Sequence, residues 1–278
     1  MGSTARPTPR SLGIGHDSWR SGQFEVANQI ANSSVPITLL DAPPGSGKST
    51  IGITIPLLNN ERGLVITPTK TLAHQYVKEA PGVVAEMQGQ PNYLCVLPWH
   101  DAQEAENLGV EKGLAVSDAP CMVGFKCPVR NQCNYYIDLA KAGRSKIVAT
   151  TYAYQLRSMG DINEADWIIA DEGHFLTSHD SQAHKVELPV QSIEQLKTAY
   201  LHAKGMYDRI EEPTARKRVL ARYIDNLQLG LTLLTEEPQL MDVPPINGLW
   251  TLQPTTTSFA QNVIASKKRL VIMSATIL

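Results

Sequence analysis

Ala42-Pro43-Pro44-Gly45-Ser46-Gly47-Lys48-Ser49-Thr50 directly follows the short apolar run Ile37–Leu40, and the rest of the chain is read from it. Glycines at 45 and 47 let consecutive backbone N–H groups turn inward on an anion. Lys48 is spaced to reach the β- and γ-phosphates of a nucleotide, and the Ser49 hydroxyl to hold Mg²⁺. A helix opening at this point turns its positive end toward the same phosphates. Such loops usually begin with Gly, and the small Ala42 fits in its place. Ala42, Gly45, Ser46, Gly47, Lys48, Ser49 and Thr50 are therefore expected to bind the phosphates of ATP. A small residue, four spacers and Gly-Lys-Ser/Thr arise by chance in about one chain in fifty of this size. The strand before the loop and the helix after it make chance the poorer account.

Further runs of the same kind lie at Leu64–Thr67, Lys146–Thr150, Trp167–Ala170 and Leu270–Met273. They are β-branched and lack alternation, as suits central parallel strands covered on both faces. Helical stretches at Gln23–Ala31, Ser49–Leu57 and Thr71–Glu79 come between or before them. Alternating strand and helix predicts an α/β fold with a parallel sheet. Two segments break the rhythm. One runs from about Cys95 to Cys133. The other, from about Ala183 to Gln261, repeats apolar residues at helical spacing: Ile193, Leu196 and Tyr200, then Leu220, Ile224, Leu227 and Leu231. Both read as insertions into the sheet domain.

Trp167-Ile168-Ile169-Ala170-Asp171-Glu172-Gly173-His174 is the second chemical element. A buried strand ending in Asp-Glu puts two carboxylates at the sheet edge where a phosphate loop also lies. Asp171 is expected to hold Mg²⁺, Glu172 to orient or deprotonate the attacking water, and His174 to sense the γ-phosphate. An acidic pair at a helix N-terminus is the bland alternative.

Together these residues resemble superfamily 2 DNA helicases. Asp171-Glu172-Gly173-His174 resembles their DEAH box, with Gly where Ala is usual. Ile66-Thr67-Pro68-Thr69-Lys70-Thr71-Leu72 resembles motif Ia, which implies that Thr67, Thr69 and Lys70 touch single-stranded DNA. Arg20 and Gln23 resemble the R-x-x-Q element that contacts adenine. Ser274-Ala275-Thr276 resembles motif III, implying that Ser274 and Thr276 couple hydrolysis to strand movement. Val148-Ala149-Thr150-Thr151-Tyr152-Ala153-Tyr154 resembles the segment before the DEAH box in the XPD and DinG branch, with Thr151 replacing Asn. The matches run in the expected order over nearly the whole chain.

The four cysteines are spaced Cys95-x25-Cys121-x5-Cys127-x5-Cys133. Confinement to one stretch favours a metal over disulfides. The paired Cys-x2-4-Cys knuckles usual for structural zinc are missing. A [4Fe–4S] cluster tolerates looser spacing, while zinc, or free cysteines in a packing role, stay open on spacing alone. In the XPD and DinG branch a four-cysteine cluster is inserted between motif Ia and the DEAH box, so the resemblance implies [4Fe–4S] here. It also implies a RecA-like ATP-binding motor domain (1–94, 134–182 and 262–278), an iron–sulfur domain (95–133) and a helical arch-like insertion (183–261).

Basic residues near the cysteines (Lys126, Arg130, Lys141, Arg144, Lys146) and in the helical segment (Arg216, Lys217, Arg218, Arg222) are either solvated helix faces or the lining of a strand path. Tyr135 and Tyr136 are candidates for base stacking. The net charge of −2 excludes attachment to nucleic acid by bulk positive charge. With 42% hydrophobic residues, no apolar run near the roughly 18 residues of a membrane span and no signal-peptide core, the protein is expected to be cytoplasmic, with no membrane partner.

The resemblance implies an ATP-dependent helicase of 5′-to-3′ polarity acting on single-stranded or forked DNA. The alternative is an ATP-responsive single-strand-binding module that does not unwind. A nuclease-linked variant would need a further carboxylate cluster, and none is evident. The partner lobe that supplies arginine fingers in such motors is not found before Leu278. Either it belongs to a longer chain, or it lies on a separate one, or motor action has been lost, and this chain alone is expected to bind Mg–ATP but to hydrolyse it slowly.

Overall fold

The structure is a computed structural model that describes residues 6–157, 164–183, 185–190, 192–237, 239–240, 249–254, 259, 263 and 265–275. After a first helix, α1 (Gln23–Ala31), strand and helix alternate as β1 (Ile37–Asp41), α2 (Lys48–Leu58), β2 (Gly63–Thr67), α3 (Lys70–Glu79) and β3 (Val84–Glu86). Two short helices, α4 (Leu97–His100) and α5 (Ala102–Asn107), lie in the cysteine-bearing stretch. The alternation resumes with α6 (Asn134–Arg144), β4 (Ile147–Thr151), α7 (Tyr152–Arg157), β5 (Trp167–Asp171) and α8 (Leu176–Ala183). A second departure carries β6 (Val186–Leu188), α9 (Ile193–Asp208), α10 (Ala215–Glu236) and β7 (Trp250–Leu252) before the final strand, β8 (Arg269–Ser274).

Six strands form one parallel sheet in the order β1-β8-β5-β2-β4-β3. Every residue of β2 and β5 is buried, as a strand covered on both faces requires. The expectation of central strands fails for β1. It is an edge strand among the described residues, and Leu39 is 59% exposed. Its one partner, β8, comes from the far end of the chain, in the register Ile37↔Leu270. Strand β3 and the antiparallel pair β6–β7 were not expected; at three residues each they are too short to show a period.

The chain divides into two compact units. One comprises Met1–Gln88, Asp138–Asp180 and Thr257–Leu278, the other Gly89–Ile137 and Ser181–Thr256. In the first, Ala27 and Ile30 of α1, Ile51, Ile53 and Ile55 of α2 and Tyr76 of α3 pack with Val65, Ile147, Ile169 and Val271 of the sheet. In the second, α9 and α10 bury Leu196, Ala203, Leu227 and Leu234 with Leu188, Trp250 and Leu252. The apolar residues read at helical spacing all face this cluster. A separate small core gathers Cys95, Leu97, Ala105, Val110, Ala119 and Val129. Among the described residues no helix is long and apolar enough to cross a membrane.

Candidate functional site

Strands β1, β8 and β5 are parallel neighbours, so their C-terminal ends lie side by side. The register pairs Asp41 with Ser274 and Asp171 with Met273. The phosphate loop after β1, Ser274 at the end of β8 and the acidic pair at the end of β5 therefore share one sheet edge. The Ala42 N–H donates to the Ser274 carbonyl at 3.2 Å.

The loop turns through left-handed backbone at Gly45 (φ 77) and Gly47 (φ 84). A Cβ at Gly47 would fall 2.0 Å from Gln23 Nε2, so glycine is required there on two counts. Gly47 caps α2, whose first residue is Lys48. Lys48 Nζ donates to the Ala42 carbonyl at 2.9 Å, folding the side chain across the loop. Gln23, only 5% exposed, receives the Arg20 N–H at 2.8 Å and donates to the Ser46 carbonyl at 3.1 Å. The Arg20 guanidinium donates to the Gly45 carbonyl. The two residues read as adenine contacts thus brace the loop backbone. With His16, Asp17, Ser18 and Thr50 they line a cleft of about 320 Å³. Those first three residues belong to no motif and were missed. Thr50 is buried and bonded to Glu79.

Asp171 is 6% exposed, and its Oδ1 accepts the Glu172 N–H at 3.0 Å. The Tyr152 hydroxyl donates to the Asp171 carbonyl at 2.8 Å. Burial pushes the Asp171 carboxyl up and the neighbouring Glu172 charge adds to this, while Tyr76 and the Lys48 ammonium pull it down. Tyr76 is fully buried, beside Asp171 and Ser49, but its hydroxyl reaches hydrogen-bonding geometry with no described group. A tyrosine on the apolar face of a helix reads as core, so nothing in the sequence marked it. Glu172 holds φ 49, a left-handed conformation rare outside glycine and costing on the order of 1 kcal/mol or more. His174 Nδ1 lies 3.0 Å from Ser274 Oγ and 3.6 Å from Glu172 Oε2, joining the acidic pair to the end of β8. Thr276 lies outside the described residues.

Gly173 stands where the resembling helicases have Ala, and the structure gives a reason. A Cβ at 173 would lie 2.1 Å from Ile272 Cγ2, a branch fixed close to the β8 backbone. Gly173→Ala is expected to cost about 1–3 kcal/mol through overpacking. Ile272→Ala in the same chain should recover most of it. Urea unfolding of the single and double variants measures both, and a single variant as stable as the parent would refute the clash.

Of the three residues implied in DNA contact, Thr67 is fully buried. Its hydroxyl donates to the Thr69 carbonyl at 2.8 Å, so it shapes the loop instead of meeting a ligand. Thr69 caps α3, accepting the Leu72 N–H at 3.3 Å, and Lys70 is exposed. Two other readings are corrected. Tyr135 is 4% exposed, edge-on to Tyr93 and Tyr136, and cannot stack on a base as it stands. Arg218 is 7% exposed and lines no open path.

The cysteines are all free thiols; Cys95 and Cys133 are buried, Cys121 and Cys127 partly so. Among the described residues no three His, Cys, Asp or Glu side chains converge closely enough to form a single-ion site. The four sulfurs nevertheless act on one another electrostatically: Cys121 feels Cys127, Cys95 and Cys133. Burial first, then this repulsion, pushes the Cys121 thiol up to about 11 despite the Tyr136 hydroxyl beside it. Cys95 and Cys127 are raised by the same causes, and the Leu97 and Val129 backbone N–H groups face their sulfurs. The donor set fits a metal cluster held by four thiolates.

A six-stranded parallel sheet with a glycine-rich phosphate loop and an acidic pair over one edge defines a mixed α/β fold of the RecA-like, P-loop kind. Among solved structures, the chain is similar to one described as XPD_Helicase, with TM-score 0.57 and 16% identity, covering 93% of this chain and 58% of that one. It is also similar to one described as Truncated XPD, with TM-score 0.54 and 15% identity, covering 93% of this chain and 94% of that one. The chain therefore has the fold of XPD helicase structures and spans 58% of the length of the first. No family model matches it, and no curated protein does.

Proposed function

We propose that this chain is the N-terminal ATP-binding lobe of an XPD- or DinG-like DNA helicase, working on single-stranded or forked DNA against a second RecA-like lobe. One observation carries the reading: Lys48, Ser49, Asp171 and Glu172 stand over a single sheet edge, with the Lys48 charge acting on the Asp171 carboxyl. Gly45, Ser46 and Gly47 would present backbone N–H groups to the phosphates, with the start of α2 behind them. Lys48 would leave the Ala42 carbonyl for the β- and γ-phosphates. Ser49 and Asp171 would hold Mg²⁺, which neutralises charge on the phosphates. Glu172 would take a proton from the attacking water, and His174 would carry the change to Ser274 over its 3.0 Å contact. The cleft beside Arg20 and Gln23 supports adenine binding there.

The reading includes a [4Fe–4S] cluster on Cys95, Cys121, Cys127 and Cys133, which would brace the small core around it. Thr69 and Lys70 are exposed in the motif Ia-like stretch and are the residues proposed to meet the DNA backbone.

Lys48→Ala is the test. Loss of one charge-assisted phosphate contact of about 1.5–3 kcal/mol should weaken Mg–ATP binding about 10- to 150-fold. Titration calorimetry on both proteins measures the change. Equal affinity would sink the nucleotide reading. Hydrolysis that forked DNA leaves unstimulated, with the second lobe supplied, would favour the binding module over the motor.

A further inference from the structure

Residues 13–22 run between two left-handed glycines, Gly13 (φ 80) and Gly22 (φ 79), and supply His16, Asp17 and Ser18 to the wall of the cleft. They are seated on the end of α3. Ile14 is buried in the core that holds Tyr76 and Ala80, and the Gly15 N–H donates to the Glu79 carbonyl at 2.7 Å. The approach is close: a Cβ at Gly15 would fall 3.1 Å from that carbonyl oxygen. The Glu79 side chain, 18% exposed, meets two further members of the cleft. Its Oε1 accepts the Thr50 hydroxyl and lies 3.7 Å from His16 Nε2. Thr50 is buried in the first turn of α2, one residue after Ser49, and lines the cleft with His16. Glu79 is also the last residue of α3, where the negative end of the helix disfavours a carboxylate. The contacts that offset this come from the cleft.

We propose that Glu79 is a positioning residue of the nucleotide site. It ties the wall that would face the base to the helix turn that would face the phosphates, so that the two halves of one nucleotide bind cooperatively. The inference rests on the reading that this site takes Mg–ATP. A base in the cleft fixes residues 16–18, and these are joined to Glu79 through the Gly15 bond and the His16 contact. Glu79 in turn holds Thr50, beside the serine proposed to hold Mg²⁺ and at the start of the helix that would face the phosphates. Ordering either half therefore lowers the cost of ordering the other, and linkage makes the effect reciprocal. The His16 ring is half-exposed, and its pairing is worth little alone. The weight falls on the Gly15 and Thr50 bonds. Charge matters in the second, because a carboxylate accepts a hydroxyl about twice as strongly as a neutral group does.

The test sets the parent beside Glu79→Gln, which keeps the shape and loses the charge, and Thr50→Val, which removes the hydroxyl at nearly constant volume. Thr50→Ser and the double variant Glu79→Gln/Thr50→Val complete the set. Affinities for Mg–ATP and for Mg–tripolyphosphate, which lacks base and sugar, are measured on each by calorimetry. Glu79→Gln is expected to weaken Mg–ATP about 5- to 30-fold, the lower part of the range for coupled sites, and Mg–tripolyphosphate much less. Thr50→Val should do the same, and the double variant should be no worse than either single one, because both break one bond. Thr50→Ser should bind as the parent does. A purely packing role would weaken both ligands alike and leave their ratio unchanged. Parental Mg–ATP affinity in Glu79→Gln, equal losses for the two ligands, or additive losses in the double variant would each overturn the proposal. If Glu79→Gln fails to fold, Thr50→Val binding Mg–ATP as tightly as Thr50→Ser decides against it. A parent that binds tripolyphosphate and gains nothing from base and sugar overturns this inference and leaves the phosphate site standing. A parent that binds neither ligand removes the nucleotide reading, and this inference with it.

Discussion

Glu172→Gln is expected to leave Mg–ATP bound and to slow its hydrolysis about 10²- to 10⁴-fold, the range for loss of a general base. The glutamine side chain fills the same volume and can hydrogen-bond water, but it cannot take the proton. The backbone should hold it in place, because the left-handed turn at Glu172 is set by the end of β5 and by the Tyr152 hydroxyl on the Asp171 carbonyl. Binding should change little, since the proposed phosphate contacts are those of Lys48 and the loop N–H groups. Phosphate release alongside titration of a fluorescent nucleotide separates the two quantities. Turnover within a few-fold of the parent would remove Glu172 from the chemistry.

Cys133→Ser should strip nearly all the metal and loosen the stretch 95–133, while nucleotide affinity in the other compact unit stays near that of the parent. The core around the cysteines is small, with Leu97, Ala105, Val110, Ala119 and Val129 its main apolar members. So few side chains rarely hold a fold alone, and small units of this kind lean on a structural metal. Binding free energy at structural thiolate sites runs to about 10–16 kcal/mol and acts directly as folding free energy. Metal analysis and limited proteolysis are the readouts. Full metal content with unchanged protease resistance in Cys133→Ser would refute the site.

The phosphate loop and the acidic pair were legible because their chemistry is local. A glycine at 47 and a lysine at 48 do their work within a few residues of chain, and the apolar run ending at Asp171 announces both a strand and its exit. The helical faces of α9 and α10 were legible for a similar reason, since a 3.6-residue period is written along the chain. Pairing is different. That β1 lies at the edge beside β8 depends on a contact between residues 37 and 270, which no local pattern records. Tyr76 was invisible because an aromatic residue on an apolar helix face looks like packing, and its position under Asp171 exists only once α3 lies on the sheet. Arg218 was misread for the opposite reason. A charge in a run of charges looks solvated until another element covers it.

By itself the sequence determined a parallel α/β fold with Lys48, Asp171 and Glu172 at the ends of its strands, because each is fixed by its own strand end. Only the tertiary structure decided that Gly173 must lack a side chain beside Ile272, that Gln23 braces the phosphate loop, and that Arg218 is buried. The reason is physical: burial and electrostatic partnership belong to neighbours in space, and here those neighbours are tens to hundreds of residues apart along the chain.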